Sequence, residues 1–289
     1  MRCLSLAMEM VARGAKVRFL MAECLPGFEA VLREHGIGLS RITPQTDDAT
    51  QVVKAAEKTK AGLVVVDGYA FTAGYRTRLK SAGLRLLVVD DYGNIGPYAD
   101  EYVLNQGATK PDGLYPDDKS PTLLLGPRYA LLRPQFRERI NAKRRRTGRA
   151  CRLLVTAGAS DPKNITIPIL KALNGIPLGP AVVDIVIGPG FRASAKLRAV
   201  AHGLRHNIRI HESPRDMASL MAEADLCITA AGSTLWEVAA LGLPSVAVIV
   251  ADNQVLGTHI FTASGCGLSV DARCSVPPAR LRNAVVGCG

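Results

Sequence analysis

The feature that most constrains this chain is a repeated alternation of short apolar runs and helix-length pieces. KVRFLMA (16–22), IGLSRI (37–42), GLVVVD (62–67) and LRLLVVDD (84–91) read as strands, with helices expected over 27–35, 46–60 and 71–82. The theme returns in RLLVTAG (152–158), VVDIVIG (182–188), IRIHE (208–212), DLCITAAG (225–232) and SVAVIV (245–250). Helices are expected between them over 164–174, 192–203, 214–223 and 233–241. A strand that is apolar on both faces needs cover on both faces, which parallel sheets built from strand–helix–strand units provide. The expected fold class is therefore α/β, with two doubly wound Rossmann-like domains over 1–132 and 151–289 and a basic linker over 133–150.

Composition narrows the class further. The 289 residues are 48% hydrophobic and 21% charged, enough for two domains with real cores. No apolar run reaches the roughly 18 residues that a membrane span needs, so no stable membrane insertion is expected. The opening MRCLSLAMEMVARGAKVRFL is interrupted by Glu9, Arg13, Lys16 and Arg18, which spoils a secretory core. Seven cysteines (3, 24, 151, 227, 266, 274, 288) are scattered without a C-x-x-C pair. That is the usage of reduced thiols in a cytoplasmic protein, not of a disulfide framework or a zinc site.

The 36 Lys and Arg against 25 Asp and Glu give a net charge of +11, a field that favours anionic partners. Much of it lies in RPQFRERINAKRRRTGRACR (133–152), where Phe136 is the one interleaved aromatic. Stacking platforms for single-stranded nucleic acid are therefore lacking. A solvated face is expected there, with a phosphate-attracting or membrane-grazing patch as the alternative and nucleic acid excluded as a partner.

The ends break the pattern. The chain opens in a helix, with Leu4, Met8 and Val11 on one face, where a doubly wound sheet normally begins with a strand. From Pro277 a helix pattern begins and soon stops. Both ends are expected to be incomplete.

Ligands of such folds bind at the carboxyl ends of the strands. Those loops carry Asp67-Gly68-Tyr69, Asp90-Asp91-Tyr92-Gly93, Gly158 through Asn164, Ala230 through Glu237, and Ala251 through Gln254. The best phosphate cradle is Gly232-Ser233-Thr234, small and hydroxylated at an expected helix start. Its functional reading has amides and hydroxyls on a diphosphate and Glu237 on ribose hydroxyls. Its structural reading is a capping box, Thr234-x-x-Glu237, that only starts a helix. Gly188-Pro189-Gly190-Phe191-Arg192-Ala193 fits a dinucleotide fingerprint, but Pro189 lacks an amide where the pyrophosphate would need one. Ser160-x-x-Lys163 lacks the companion motifs of the penicillin-binding class. His202 and His206 lack the Glu of a zinc helix. Asp90-Asp91 serves either acid–base work or hydrogen-bonded scaffolding. No cofactor and no metal is expected.

Taken together, MRCLSLA, VVDGY, VVDDYGN, LLGPRYALLRPQF (124–136), TAGASDPKN, AAGSTLWEVAALGLPS and VADNQ resemble the UDP-2,4-diacetamido-2,4,6-trideoxy-β-L-altropyranose hydrolases of pseudaminic acid biosynthesis. The resemblance implies a glycosyltransferase-B fold, similar to the peptidoglycan N-acetylglucosaminyltransferase, and a UDP-sugar as the small-molecule partner. It implies UDP contacts from Gly232, Ser233, Thr234, Glu237, Asn253 and Gln254. It places Tyr69 and Asp91 at the catalytic side, with Arg2, Asn105, Gly158, Asp161 and Asn164 binding substrate. Two departures stand out. One family glycine is Ala159 here. The family's catalytic His, in Gly-x-Gly-His-x-x-Arg, would precede Met1, since Met1-Arg2 match the end of that motif. Hydrolysis to UDP and free sugar is therefore the first expectation. A UDP-sugar glycosyltransferase, or a catalytically dead nucleotide-sugar binder, is the alternative.

Overall fold

The computed structural model describes residues 1–288 apart from 25–26, 44–46, 94–95, 99–100, 109–113, 116–120, 141–151 and 177–180. The chain divides into two compact units, Met1–Leu131 and Leu132–Gly289.

In the first unit the elements run α1 (Arg2–Ala12), β1 (Arg18–Met21), α2 (Phe28–Glu34), β2 (Gly38–Arg41), α3 (Asp48–Thr59), β3 (Val64–Asp67), α4 (Ala73–Ser81) and β4 (Leu86–Val89). Strands β5 (Tyr102–Asn105) and β6 (Thr122–Leu125) follow. All pairing is parallel, β1 with β2 and, in a separate sheet, β3-β4-β5-β6. The amphipathic face expected of the opening helix is real: Leu4 and Ala7 are buried, and Met8 and Val11 pack beside them against Leu32 and Ile37. Strand β4, apolar throughout, is buried along its whole length. It contributes Leu86 and Val88 to one cluster and Leu87 and Val89 to another. That alternation is the pleat of a strand covered on both faces.

The second unit begins with a helical turn, α5 (Pro134–Arg137), and continues through β7 (Arg152–Thr156), α6 (Thr166–Leu173), β8 (Val182–Ile187), α7 (Ser194–His202) and β9 (Asn207–Glu212). Then come α8 (Met217–Glu223), β10 (Leu226–Ala230), α9 (Thr234–Ala240), β11 (Ser245–Ile249), α10 (Val255–Ala263), β12 (Gly267–Asp271) and α11 (Pro278–Cys288). Six parallel strands lie in the order β12-β11-β10-β7-β8-β9, a doubly wound arrangement that reverses direction between β7 and β10. Alternate residues face opposite layers. Leu153, Val155, Val183, Ile185 and Val246 meet α6, α7 and α11, whereas Leu154, Val186, Cys227 and Ala247 meet α5, α8, α9 and α10. Each fully buried Leu or Ile in these layers stabilises the fold by about 1.5–3 kcal/mol relative to exposure.

The strands and helices expected from periodicity appear within a few residues of their predicted bounds. Five elements were not foreseen: β5 and β6, each four residues long, the short helix α5, and the pair α10 and β12. The basic stretch also differs from expectation at its start. Phe136, read as part of a linker, is fully buried in the second unit's core beside Met217, Leu235 and Val238. Residues 141–150 of the expected linker lie outside the described residues.

Candidate functional site

In the first unit, β3 and β4 are register neighbours, with Asp67 opposite Val89. Asp67 and Asp91 therefore emerge side by side at adjacent strand ends. The first turn of α1 places Arg2 between them. Its Nε and Nη2 donate to Asp67 at 3.0 and 2.6 Å, and its Nη1 donates to both oxygens of Asp91 at 2.6 and 2.8 Å. The planar guanidinium matches two carboxylates as a point charge could not. Burial works against the charge on Arg2, but the bonds to Asp67 and Asp91 outweigh it and raise its pKa. Burial likewise opposes the charge on Asp67, and Arg2 holds that carboxyl below its ordinary range. Cys3 donates its thiol to Asp67 at 2.9 Å. Burial, together with the Asp67 charge, pushes that thiol up to about 12, so it is not a nucleophile near neutral pH.

Tyr69 is exposed and donates its hydroxyl to Asp91 at 2.7 Å. Its ring meets Tyr92 edge to face at 5.5 Å. The result is a polar chain, Tyr69–Asp91–Arg2–Asp67, whose solvent-facing end is a phenol hydrogen-bonded to a carboxylate. Such a pair can relay a proton. Tyr69 and Asp91, both expected at the catalytic side, are thus in direct contact. Arg2, expected to bind substrate, instead ties the two strand-end carboxylates together. The neighbouring Asp90 is scaffold: it is buried, and accepts from the Tyr92 and Gly93 amides at 2.9 Å and from the Tyr98 hydroxyl at 2.7 Å. Asn105 is also scaffold. It is fully buried, donates to the Tyr115 hydroxyl at 2.8 Å and accepts from the Gly107 amide at 2.9 Å.

In the second unit, the loop from β7 to α6 is shaped by Asp161. Its backbone is left-handed, at φ 42°, and its buried carboxylate accepts from the Ile165 and Thr166 amides at 2.8 and 3.0 Å and from the Thr166 hydroxyl at 2.6 Å. These are orphan donors of the first turn of α6, so Asp161 caps that helix. Gly158 and Asn164 also have positive φ, at 83° and 55°, and Asn164 is exposed. The G-x-G-x-x-A match has a packing explanation. A Cβ on Gly188 would collide with the Ala159 backbone, and one on Gly190 would stand 2.9 Å from the Ser160 Cβ. Those glycines let the two loops touch.

The loop from β10 to α9 does not form a capping box. Ser233 precedes the helix without a side-chain cap, and the Glu237 carboxylate turns the other way. Arg133 grips it with Nε on Oε1 at 2.7 Å and Nη2 on Oε2 at 3.0 Å. The Arg133 guanidinium also lies 4.8 Å from the centre of the Phe136 ring. Sequence reasoning missed Arg133 because it counted it among the linker's charges; its neighbour Phe136, apolar within a basic run, was the available signal. Gly232 is exposed, Ser233 and Thr234 are half-buried, and a Cβ on Gly232 would meet nothing within 4 Å. Crowding by this chain thus does not explain that glycine. In the next loop the Gln254 side chain accepts from the Val250 amide at 2.8 Å, which fixes the turn that carries Asn253. Among the described residues no cluster of His, Cys, Asp and Glu is suited to a metal ion, and no helix is long and apolar enough to cross a membrane.

Comparison with known proteins bears on this geometry. Residues 152–287 match the family model described as Glycosyltransferase family 28 C-terminal domain. The chain is 30% identical over 163 residues to the spore coat polysaccharide biosynthesis protein SpsG of Bacillus subtilis, covering 54% of this chain and 46% of that protein. It is 26% identical over 211 residues to an uncharacterized protein of Methanocaldococcus jannaschii, covering 69% of this chain and 42% of that one. The matches thus span less than half the length of either curated relative. Among solved structures, MurG of Acinetobacter baumannii superposes with a TM-score of 0.65 at 17% identity, covering 99% of this chain and 86% of that one. The fold is the glycosyltransferase-B fold that the motif resemblance implied, built from the doubly wound α/β units that the alternating strands predicted, and residues 152–287 are similar to the C-terminal domain of glycosyltransferase family 28.

Proposed function

We propose that this chain binds a UDP-sugar through the β10–α9 and β11–α10 loops and transfers its sugar to an acceptor hydroxyl, as a glycosyltransferase. The observation that carries this reading is the family-28 match over 152–287. The loop geometry supports it. Gly232, Ser233 and Thr234 offer an uncrowded, hydroxylated turn at a carboxyl strand end, and the capping box that would have explained them otherwise does not form. In the first unit, Asp91 and the Tyr69 hydroxyl form a hydrogen-bonded pair suited to proton transfer, and Arg2 holds Asp91 in place. Helix-end amides and hydroxyls stabilise the departing diphosphate. The name of SpsG links that protein to polysaccharide biosynthesis, and a polysaccharide precursor is the corresponding substrate class here.

A second reading, hydrolysis of a UDP-linked diacetamido-trideoxy sugar, is favoured by the motif string from VVDGY to VADNQ. Water then takes the acceptor's place: the bond from the anomeric carbon to the diphosphate oxygen breaks, a bond to water oxygen forms, and water loses its proton to the base. One experiment separates the two. The full chain is incubated with UDP-linked N-acetylated hexosamines, with and without sugar acceptors, and released UDP is quantified. UDP release only with an acceptor supports transfer, and equal release without one supports hydrolysis. A chain that binds UDP and releases none is a binding protein, and one that binds no UDP removes the proposal.

A further inference from the structure

The second unit carries a cavity of about 490 Å³ on the face of the sheet covered by α6, α7 and α11, the opposite face from α9. Four cationic side chains line it: Lys163 from the loop before α6, Lys171 from α6, Lys196 from the first turn of α7, and Arg282 from α11. No carboxylate is among the lining residues. Its floor is apolar, with Ile167 buried and Pro168 half-buried. Lys163 is oriented by donating to the Arg273 carbonyl at 2.8 Å. The Arg282 stem lies along Gly175, where an added Cβ would stand 3.4 Å from its Cδ.

Like charges gathered around one concavity repel one another, and the repulsion is relieved only by counter-charge. Elsewhere in this unit several arginines have local carboxylates: Arg133 has Glu237, Arg152 has Asp184, and Arg273 has Asp252 and Asp271. Around the cavity, Lys171, Lys196 and Arg282 make no ion pair with any described residue. A concave wall bearing four cations above an apolar floor fits a compact polyanion. One phosphate monoester carries about −1.5 to −2 charges at neutral pH, so two phosphate groups are needed to balance the wall.

We propose that this cavity is a second anion site, distinct from the β10–α9 loop, which takes a ligand bearing two or more phosphate groups, either free or displayed by a lipid headgroup. The test titrates the full chain with inorganic pyrophosphate at low salt while saturating UDP occupies the nucleotide loop. The wild-type chain should still bind one pyrophosphate. The double variant Lys171→Gln/Lys196→Gln, both at exposed positions, should bind it at least roughly ten-fold more weakly, since each lost charge-assisted hydrogen bond weakens an anion substantially. UDP affinity in that variant should change less than about two-fold, and added salt should weaken pyrophosphate binding. A second arm uses phosphatidylcholine vesicles with and without a phosphoinositide whose headgroup carries two phosphate monoesters. Capture by the acidic vesicles that pyrophosphate reverses supports a lipid source, and pyrophosphate binding without capture supports a free ligand. No pyrophosphate binding beyond UDP saturation, or equal binding by wild type and double variant, overturns the proposal.

Discussion

Glu237→Gln separates a structural from a ligand-binding carboxylate in one protein. In the structure the Glu237 side chain is 9% exposed and that of Arg133 19%, so solvent screens the pair only in part. Gln keeps the shape but loses the charge, and its amide nitrogen confronts a guanidinium donor, so one of two hydrogen bonds goes. Breaking a fully buried pair costs about 3–5 kcal/mol because the remaining charge is stranded. Arg133 retains some contact with water and with the Phe136 ring, so the expected cost here is about 2–3 kcal/mol. For a unit of this size that lowers Tm by roughly 5–10 °C.

The assay is a double-mutant cycle by chemical denaturation, with Arg133→Met as the second substitution. Once Arg133 is gone, Glu237→Gln should cost much less than in the wild-type chain, giving a coupling of about 2 kcal/mol. Additivity within about 0.5 kcal/mol would show that the two side chains do not stabilise one another, and the pairing would then say nothing of stability. The functional arm runs at a temperature where every variant is folded. If Glu237 also accepts ribose hydroxyls, Glu237→Gln weakens UDP roughly ten-fold or more and pyrophosphate hardly at all. Equal losses for both ligands confine Glu237 to its role beside Arg133.

Three further outcomes follow from the geometry. Asp67 has a folded-state pKa held below its ordinary value, with Arg2 outweighing burial; its stabilisation is complete above the ordinary Asp range near pH ~4 and is lost as pH falls through the folded value. Urea unfolding from neutral to acid pH should show this limb, and Asp67→Asn should flatten it; an unchanged slope would refute the assignment. Asp161→Ala removes the cap of α6 and should cost about 0.5–2 kcal/mol in denaturant unfolding, with Asp161→Asn recovering part of it; an unchanged midpoint would refute the capping role. Gly188→Ala forces a Cβ into the Ala159 backbone and should destabilise by about 1–3 kcal/mol while leaving UDP affinity intact, whereas a selective loss of UDP would return the glycine pair to ligand binding.

The doubly wound fold was legible because strands such as VVDIVI and LLVV are apolar on both faces, and that pattern has few folded solutions. Strands β5 and β6 were not legible, since YVLN and TLLL follow β4 with no helix between them among the described residues, outside the strand–helix alternation that marked the others. Tyr69 and Asp91 were singled out because strand-end loops in this fold class carry chemistry and because the motif resemblance places them at the catalytic side. Asn105 and Asp161, expected to bind substrate, accept from backbone amides here; short polar side chains in tight turns satisfy such amides as readily as they bind ligands. Sequence position alone does not separate the two uses. Arg2 and Arg133 were missed as clamps because their partners lie 65 and 104 residues away, beyond any local pattern.

The net charge of +11 acquires meaning only through this pairing. A sum treats all cations alike, but the arginines at the strand ends are absorbed into the fold. Arg2 balances Asp67 and Asp91, and Arg133 balances Glu237. Arg152 lies 2.5 Å from the buried Asp184 and also reaches Glu223. These cations contribute little outward field, because each is neutralised within a few ångströms. The lysines around the α6–α7–α11 cavity are of the other kind: exposed, close together and opposed by no lining carboxylate.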